Sequence, residues 1–233
     1  MKKNNNMYDR SVKQWNPYVG CLFDCTYCKN SFQRQLKRWG KNNCQNCYDF
    51  RPHFHIQRLY TKLPRTKGNE FIFVCSTGDI SFCPNNFLDD IIETISKYKN
   101  RTFLLQSKNP YCFERLLPLP NNIILGTTIE TDIVSLAGSA SLAPATSERF
   151  YCLSRLDHPR KMVSVEPIMK FNLNILLSWI LLIKPEFVYV GYDTVGSSFP
   201  QPTIVKAMKL VRDLKMHGIV VICKKLSGNL FNN

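Results

Sequence analysis

Phe71-Ile72-Phe73-Val74-Cys75-Ser76-Thr77-Gly78-Asp79 is the stretch on which the fold turns. Its first five residues are apolar and rich in β-formers, the composition of a short buried strand. The last four are turn formers that end it. Residues 87–98 then carry Leu88, Ile91, Ile92 and Ile95 at helical spacing. The same couplet recurs outward along the chain. Strands are expected at 102–106, 122–127, 161–165, 187–191 and 219–223, and one more before Cys21. Helices are expected at 111–117, stopped by Pro118 and Pro120, and at 147–156, 173–184 and 203–217, the last closed by Gly218. Residues 131–146, rich in Ser, Ala, Gly and Thr, read as a loop. Strands alternating with helices make βαβ units and a parallel sheet. The strands fall short of the eight in a closed barrel. The expectation is therefore an α/β fold: a partial, open TIM-like barrel of about six or seven parallel strands, in one domain over residues 1–233.

Parallel α/β folds collect their active sites at the C-terminal ends of the strands. Here those ends carry Ser76-Thr77-Gly78-Asp79, Gln106-Ser107-Lys108, Thr127-Thr128 with Glu130, Ser164 with Glu166, Asp193 and Lys224. Upstream lies Trp15-Asn16-Pro17-Tyr18-Val19-Gly20-Cys21-Leu22-Phe23-Asp24-Cys25-Thr26-Tyr27-Cys28. Its C-x3-C-x2-C spacing puts three thiolates on one tight loop. Three thiolates can hold three corners of a cubane cluster and leave one iron open, as a catalytic centre requires. A zinc site built from three of these cysteines and a fourth ligand is the alternative.

The segment resembles the signature of the radical S-adenosylmethionine (SAM) superfamily, with Tyr27 as the aromatic before the last cysteine. The resemblance implies a [4Fe–4S] cluster on Cys21, Cys25 and Cys28, with SAM chelating the open iron. Reductive cleavage of SAM to a 5′-deoxyadenosyl radical would follow, fed by a donor such as flavodoxin or ferredoxin. Trp15-Asn16-Pro17, Phe54-His55 with Arg58-Leu59, Ser164-Val165-Glu166-Pro167 and Val190-Gly191 narrow the likeness. Together they resemble a group of small radical SAM-like proteins of phages, archaea and bacteria, distantly similar to spore photoproduct lyase. Many superfamily members carry Gly-Gly-Glu after the second strand. This chain has Ser76-Thr77-Gly78-Asp79 there, with Asp79 as the acidic partner. Thr128, Glu130, Ser164 and Glu166 complete the expected SAM-pocket residues by strand-end position.

A second group, Cys44-Gln45-Asn46-Cys47 followed by His53 and His55, offers four metal ligands within a dozen residues. The pair could bind zinc, or join Cys75 or Cys83 around zinc or a second iron–sulfur cluster. Cys75, Cys112, Cys152 and Cys223 also read as small buried apolar residues. The cysteine pair sits in a basic insertion, residues 29–69, where Lys29, Arg34, Lys37, Arg38, Lys41, Arg51, Arg58, Lys62, Arg65 and Lys67 are opposed only by Asp49. Trp39, Tyr48, Phe50, Phe54 and Tyr60 are interleaved. Cations grip phosphates and aromatics stack on bases, so the insertion reads as a nucleic-acid clamp, with Lys37, Arg38, Lys41 and Lys224 as substrate contacts; solvated helices whose aromatic face packs inward are the alternative.

The whole chain points the same way, with ten cysteines and a net charge of +14 over 233 residues. That charge favours a polyanionic partner. No secretory signal follows the basic residues 1–6, and no apolar run reaches the roughly 18–20 residues of a membrane span, so a cytoplasmic protein is expected. In such a compartment clustered cysteines bind metal rather than form disulfides. The leading expectation is a radical SAM enzyme that modifies or repairs nucleic acid or a nucleotide-like substrate. The alternatives are a radical SAM enzyme modifying protein or peptide, and a zinc-stapled nucleic-acid-binding module without catalysis.

Overall fold

A computed structural model describes residues 7–29, 31–193, 196 and 198–224; the basic stretch 1–6 lies outside them. After β1 (Ser11–Trp15) the chain makes the two-residue strand β2 (Tyr18–Val19) and enters the cysteine loop. It turns through α1 (Thr26–Lys29), α2 (Phe32–Asn43) and α3 (Gln45–Tyr48), and β3 (His53–Phe54) returns antiparallel to β2. The alternating part runs β4 (Phe71–Val74), α4 (Asn85–Ser96), β5 (Phe103–Gln106), a 3-10 segment at Pro110–Leu116, and β6 (Ile123–Thr128). It continues through α5 (Val134–Ala140), α6 (Thr146–Arg155), β7 (Lys161–Val165), α7 (Leu173–Ile183), β8 (Phe187–Gly191), α8 (Ile204–Met216) and β9 (Val220–Lys224).

Seven strands form one sheet in the order β1-β4-β5-β6-β7-β8-β9, each pair parallel, curled into a half-barrel. The expected strand before Cys21 is β1. Every residue of β4, β6, β7 and β8 is buried, because helices cover the convex face and side chains fill the concave one. On the convex side Ile72, Val74, Leu105 and Val163 meet Leu88 and Ile91 of α4, Leu176 and Ile180 of α7, and Leu210 and Leu214 of α8 in one core. The concave side holds a separate cluster of Tyr8, Phe71, Phe73, Leu104, Ile124, Met162, Phe187 and Tyr189. Tyr8 lies across this trough, its ring centroid 4.4 Å from that of Tyr189 and 5.3 Å from that of Phe73. Its hydroxyl donates to Gln106 Oε1 at 2.7 Å. The floor of the trough is thus plugged, and the free space lies at the C-terminal ends of the strands.

Two expectations need correction. Residues 131–146 are not all loop, since α5 lies within them. Alanine is the best helix former, and buried Ala137 and Ala140 let the cysteine loop approach closely. Leu142 N–H donates to the Phe23 carbonyl at 2.8 Å. Of the cysteines expected to be buried, Cys112 is half-buried and Cys223 is exposed, the latter because β9 is an edge strand with one uncovered side. No described helix is long and apolar enough to cross a membrane.

Candidate functional site

The cysteine loop is docked onto the end of β4 by a glycine pair. Gly20 N–H donates to the Thr77 carbonyl at 3.1 Å, and Asp79 N–H donates to the Gly20 carbonyl at 3.1 Å. A Cβ on Gly78 would lie 2.5 Å from the Gly20 oxygen, so only glycine allows this approach. Asn16 braces the same turn, its Oδ1 accepting from Ser76 Oγ at 3.0 Å and Thr77 N–H at 3.3 Å. On the far side Ser141, just after α5, places its Oγ 3.0 Å from Cys25 Sγ. Phe23 N–H donates to Cys21 Sγ at 3.4 Å. The Cys28 thiol donates to Cys25 and holds it below the ordinary thiol range, with Lys108 and Ser141 adding to this. Cys28 is correspondingly raised, and burial raises Cys21. Cationic Lys108 favours the thiolate at all three positions.

Cys21, Cys25 and Cys28 line a cavity of about 750 Å³ at the C-terminal mouth of the half-barrel. The sheet contributes Gln14, Phe73, Gln106, Thr128 and Lys224, and the loops after the strands add Ser76, Thr77, Gly78, Asp79, Lys108 and Glu166. Ser31, Gln33, Gln35 and Leu36, in and just before α2, close the opposite wall. Of the expected SAM-pocket residues, Tyr27, Ser76, Thr77, Gly78, Asp79, Thr128 and Glu166 reach this space; Glu130 and Ser164 do not.

Their bonding separates free groups from committed ones. The Thr77 hydroxyl oxygen is buried with no hydrogen-bond partner among the described residues. Thr128 Oγ1 accepts from Gln106 Nε2 at 3.0 Å. Both Asp79 oxygens are engaged within the chain, Oδ1 by Ser81 and by Ser107 Oγ at 2.6 Å, Oδ2 by Lys108 N–H at 2.8 Å. Asp79 therefore shapes the loop after β4. Glu166 accepts from Lys224 Nζ with both oxygens, at 2.9 and 2.7 Å. Gly191 makes room for this pair, since a Cβ there would lie 3.2 Å from the Glu166 carboxyl carbon.

Glu130 sits beneath the cavity rather than in it. It accepts hydrogen bonds from Tyr27 Oη and Lys108 Nζ, and its Oε2 lies 2.8 Å from the buried Arg149 guanidinium. Burial pushes this carboxyl upward, but Arg149 and then Lys108 overrule it and hold it near 2. Glu130 thus fixes Tyr27 and, through Lys108, the charge beside the cysteines. Sequence reasoning missed Ser141 and Arg149. Ser141 lies 116 residues from Cys25 and gives no local signal. Arg149 had one: it falls on the same helical face as Cys152 and Leu153, where a charge has no place unless paired.

The second group converges as well. Cys44, Cys47, His53 and His55 present ligand atoms that all lie within 4.8 Å of one another. Burial raises the Cys47 thiol to about 12 and lowers His55 to about 4. Cys75 and Cys83, considered as partners of the Cys44–Cys47 pair, are buried in the core on the convex side instead. Lys37, Arg38 and Lys41 are exposed along α2.

The family described as protein of unknown function, DUF5131, matches residues 8–194. No curated protein matches the sequence. Among solved structures the chain is similar to a radical SAM methyltransferase from Sphaerobacter thermophilus, at 10% identity and a TM-score of 0.57, over 94% of this chain and 67% of that one. It is similar also to Streptococcus suis SuiB bound to S-adenosylmethionine, at 10% identity and a TM-score of 0.58, over 93% of this chain and 52% of that one. SuiB bound to its precursor peptide SuiA gives 11% identity and a TM-score of 0.58, and the chain spans 50% of its length. The half-barrel is the fold of radical SAM enzymes.

Proposed function

We propose, from the premise that this chain belongs to the DUF5131 family, that it is a radical SAM enzyme acting on nucleic acid. One observation carries the reading: the C-x3-C-x2-C cysteines line the large cavity at the C-terminal mouth of a half-barrel. Cys21, Cys25 and Cys28 would hold a [4Fe–4S] cluster with SAM at the open iron. Together these supply reductive cleavage of SAM to methionine and a 5′-deoxyadenosyl radical.

The donor set suits these groups. Phe23 N–H and the Ser141 hydroxyl are placed to donate to cysteine sulfur, which stabilises thiolate. Lys108 offsets the negative charge that three thiolates bring. The Thr77 hydroxyl, without a partner among the described residues, and the Thr128 hydroxyl, which only accepts, are available to polar groups of a ligand in the cavity. Leu36, Phe50 and Phe73 supply apolar wall that excludes water from a radical. An electron donor of the flavodoxin or ferredoxin type serves the cluster.

The nucleic-acid part rests on charge and position. The exposed Lys37, Arg38 and Lys41 stand on α2, the helix that also walls the cavity, and the chain carries +14. A peptide substrate is the second reading, favoured by the precursor peptide in the SuiB complex. The test is anaerobic reconstitution with iron and sulfide, then assay of 5′-deoxyadenosine from SAM under a strong reductant. Product is expected from the reconstituted protein and none from a Cys21→Ala, Cys25→Ala, Cys28→Ala variant. Stimulation by single-stranded nucleic acid rather than peptide supports the substrate class. A fully loaded protein that yields no 5′-deoxyadenosine overturns the enzyme reading and favours a zinc-stapled binding module.

A further inference from the structure

We propose that Cys44, Cys47, His53 and His55 form a closed tetrahedral zinc site that staples the basic insertion together beside the cysteine loop. The proposal stands whatever chemistry occurs at Cys21, Cys25 and Cys28.

Convergence comes first. Cys44 Sγ lies 3.4 Å and Cys47 Sγ 3.3 Å from His53 Nε2, and Cys47 Sγ lies 3.2 Å from His55 Nε2. The two Nε2 atoms are 2.9 Å apart. Zinc bonds of about 2.3 Å to sulfur and about 2.0 Å to nitrogen set neighbouring tetrahedral ligands roughly 3.3–3.8 Å apart. A small outward relaxation admits the ion. The set also argues against a two-iron cluster with two Cys and two His ligands, since there the pairs sit on different irons and must stand apart. Here all four atoms address one point.

The chemistry agrees. Two thiolates and two neutral imidazoles cancel the charge of a divalent ion, as a half-buried site requires, and four protein ligands leave no position for substrate. His53 Nδ1 lies 2.7 Å from the Arg51 carbonyl oxygen, which only accepts. Nδ1 therefore carries the proton, and the lone pair on Nε2 faces the other three ligands. Cys47 N–H donates to Cys44 Sγ at 3.4 Å, a bond that favours thiolate.

The local structure needs such a staple. Among the described side chains of residues 31–62, the only buried apolar ones are Cys47 and Phe50. α3 has four residues and β3 has two. Such short elements with so little core do not hold a unique shape alone, and a structural metal is the usual remedy. The staple reaches the candidate active site directly. His55 N–H donates to the Pro17 carbonyl at 2.6 Å, and the Arg51 carbonyl that orients His53 lies against Gly20, next to Cys21.

The test is metal analysis of the full chain bearing Cys21→Ala, Cys25→Ala and Cys28→Ala together, incubated with zinc and desalted through a chelating resin. One zinc per chain is expected, lost when Cys44→Ser and Cys47→Ser are added. Cobalt in its place should give the intense visible bands of a tetrahedral ion with thiolate-to-cobalt charge transfer. Zinc-edge X-ray absorption of the cluster-loaded wild-type chain removes any dependence on how the variants fold; a shell of two sulfurs and two nitrogens is expected. Absence of zinc, an oxygen-dominated shell, or zinc that leaves with the Cys21 triad would each overturn the proposal.

Discussion

At Gly20 the backbone has φ +99°, and a Cβ there would lie 2.2 Å from the Arg51 carbonyl oxygen. Gly20→Ala thus adds a left-handed strain of about 1–3 kcal/mol to a backbone clash. A lower urea midpoint and a fall in iron retained after reconstitution are expected together, because the glycine sets both the loop's entry and its spacing from the insertion. An unchanged iron content would mean the loop is held elsewhere. Glu130→Gln leaves the buried Arg149 and the half-buried Lys108 without their anion, a loss of about 3–5 kcal/mol. The same residue sets an acid limit. Its folded value is held near 2 against an ordinary 4.5, so its stabilisation is complete above about 4.5 and lost as pH falls toward 2. Urea midpoints should fall across that window in the wild type and less steeply in Glu130→Gln. Equal slopes would remove Glu130 from the acid response. The sequence made the cysteines and Tyr27 legible because metal chemistry fixes residue types at short spacing. Glu130 was recognisable as important only by its strand-end position. That it braces Tyr27 from below depends on Arg149, which arrives from another helix.

Among the elements, α2 has two duties on two faces. Its inner side walls the cavity through Gln33 and Leu36, and Gly40 packs so closely on α3 that a Cβ would lie 2.6 Å from Tyr48 N. Its outer side exposes Arg34, Lys37, Arg38 and Lys41. Lys37→Glu, Arg38→Glu and Lys41→Glu together should leave stability within roughly 0.5 kcal/mol per site, since exposed charges contribute little. Affinity for single-stranded DNA and RNA at low salt should collapse, with a shallower salt dependence as phosphate contacts are lost. Unchanged binding in a filter or anisotropy assay would sink the clamp. The strands and α8 were legible because a buried parallel sheet needs continuous apolar runs, and Thr203 and Gly218 mark the ends of α8 as capping chemistry demands. α5 was not: Val134-Ser135-Leu136-Ala137-Gly138-Ser139-Ala140 lacks a strong apolar stripe, and its helix is fixed by contact with the cysteine loop.

For the molecule as a whole, the cavity has one wall from the sheet and another from the insertion, two pieces with unequal support. The half-barrel rests on two continuous cores, whereas the insertion hangs on a few struts. Trp15 Nε1 donates to the Arg58 carbonyl at 2.7 Å, Arg58 donates to the Asn16 carbonyl at 2.8 Å, and Asn16 in turn braces Ser76 and Thr77. These are the residues of the short Trp-Asn-Pro and Arg-Leu motifs; their order was readable, but not that they join the insertion to the end of β4. A ligand that fills the space between two such pieces stabilises their juxtaposition by mass action, by about 2.7 kcal/mol at a hundred times its Kd. SAM added to the cluster-loaded protein should therefore raise the melting temperature. It should also slow amide exchange in both walls at once, at 31–36 from the insertion and at 76–79 and 106–108 from the sheet. Exchange that slows only in the sheet would place SAM against β4 and β5 alone, leaving the insertion side free for substrate. Slowing in both would mean that SAM itself closes the cavity by bridging the sheet and the insertion.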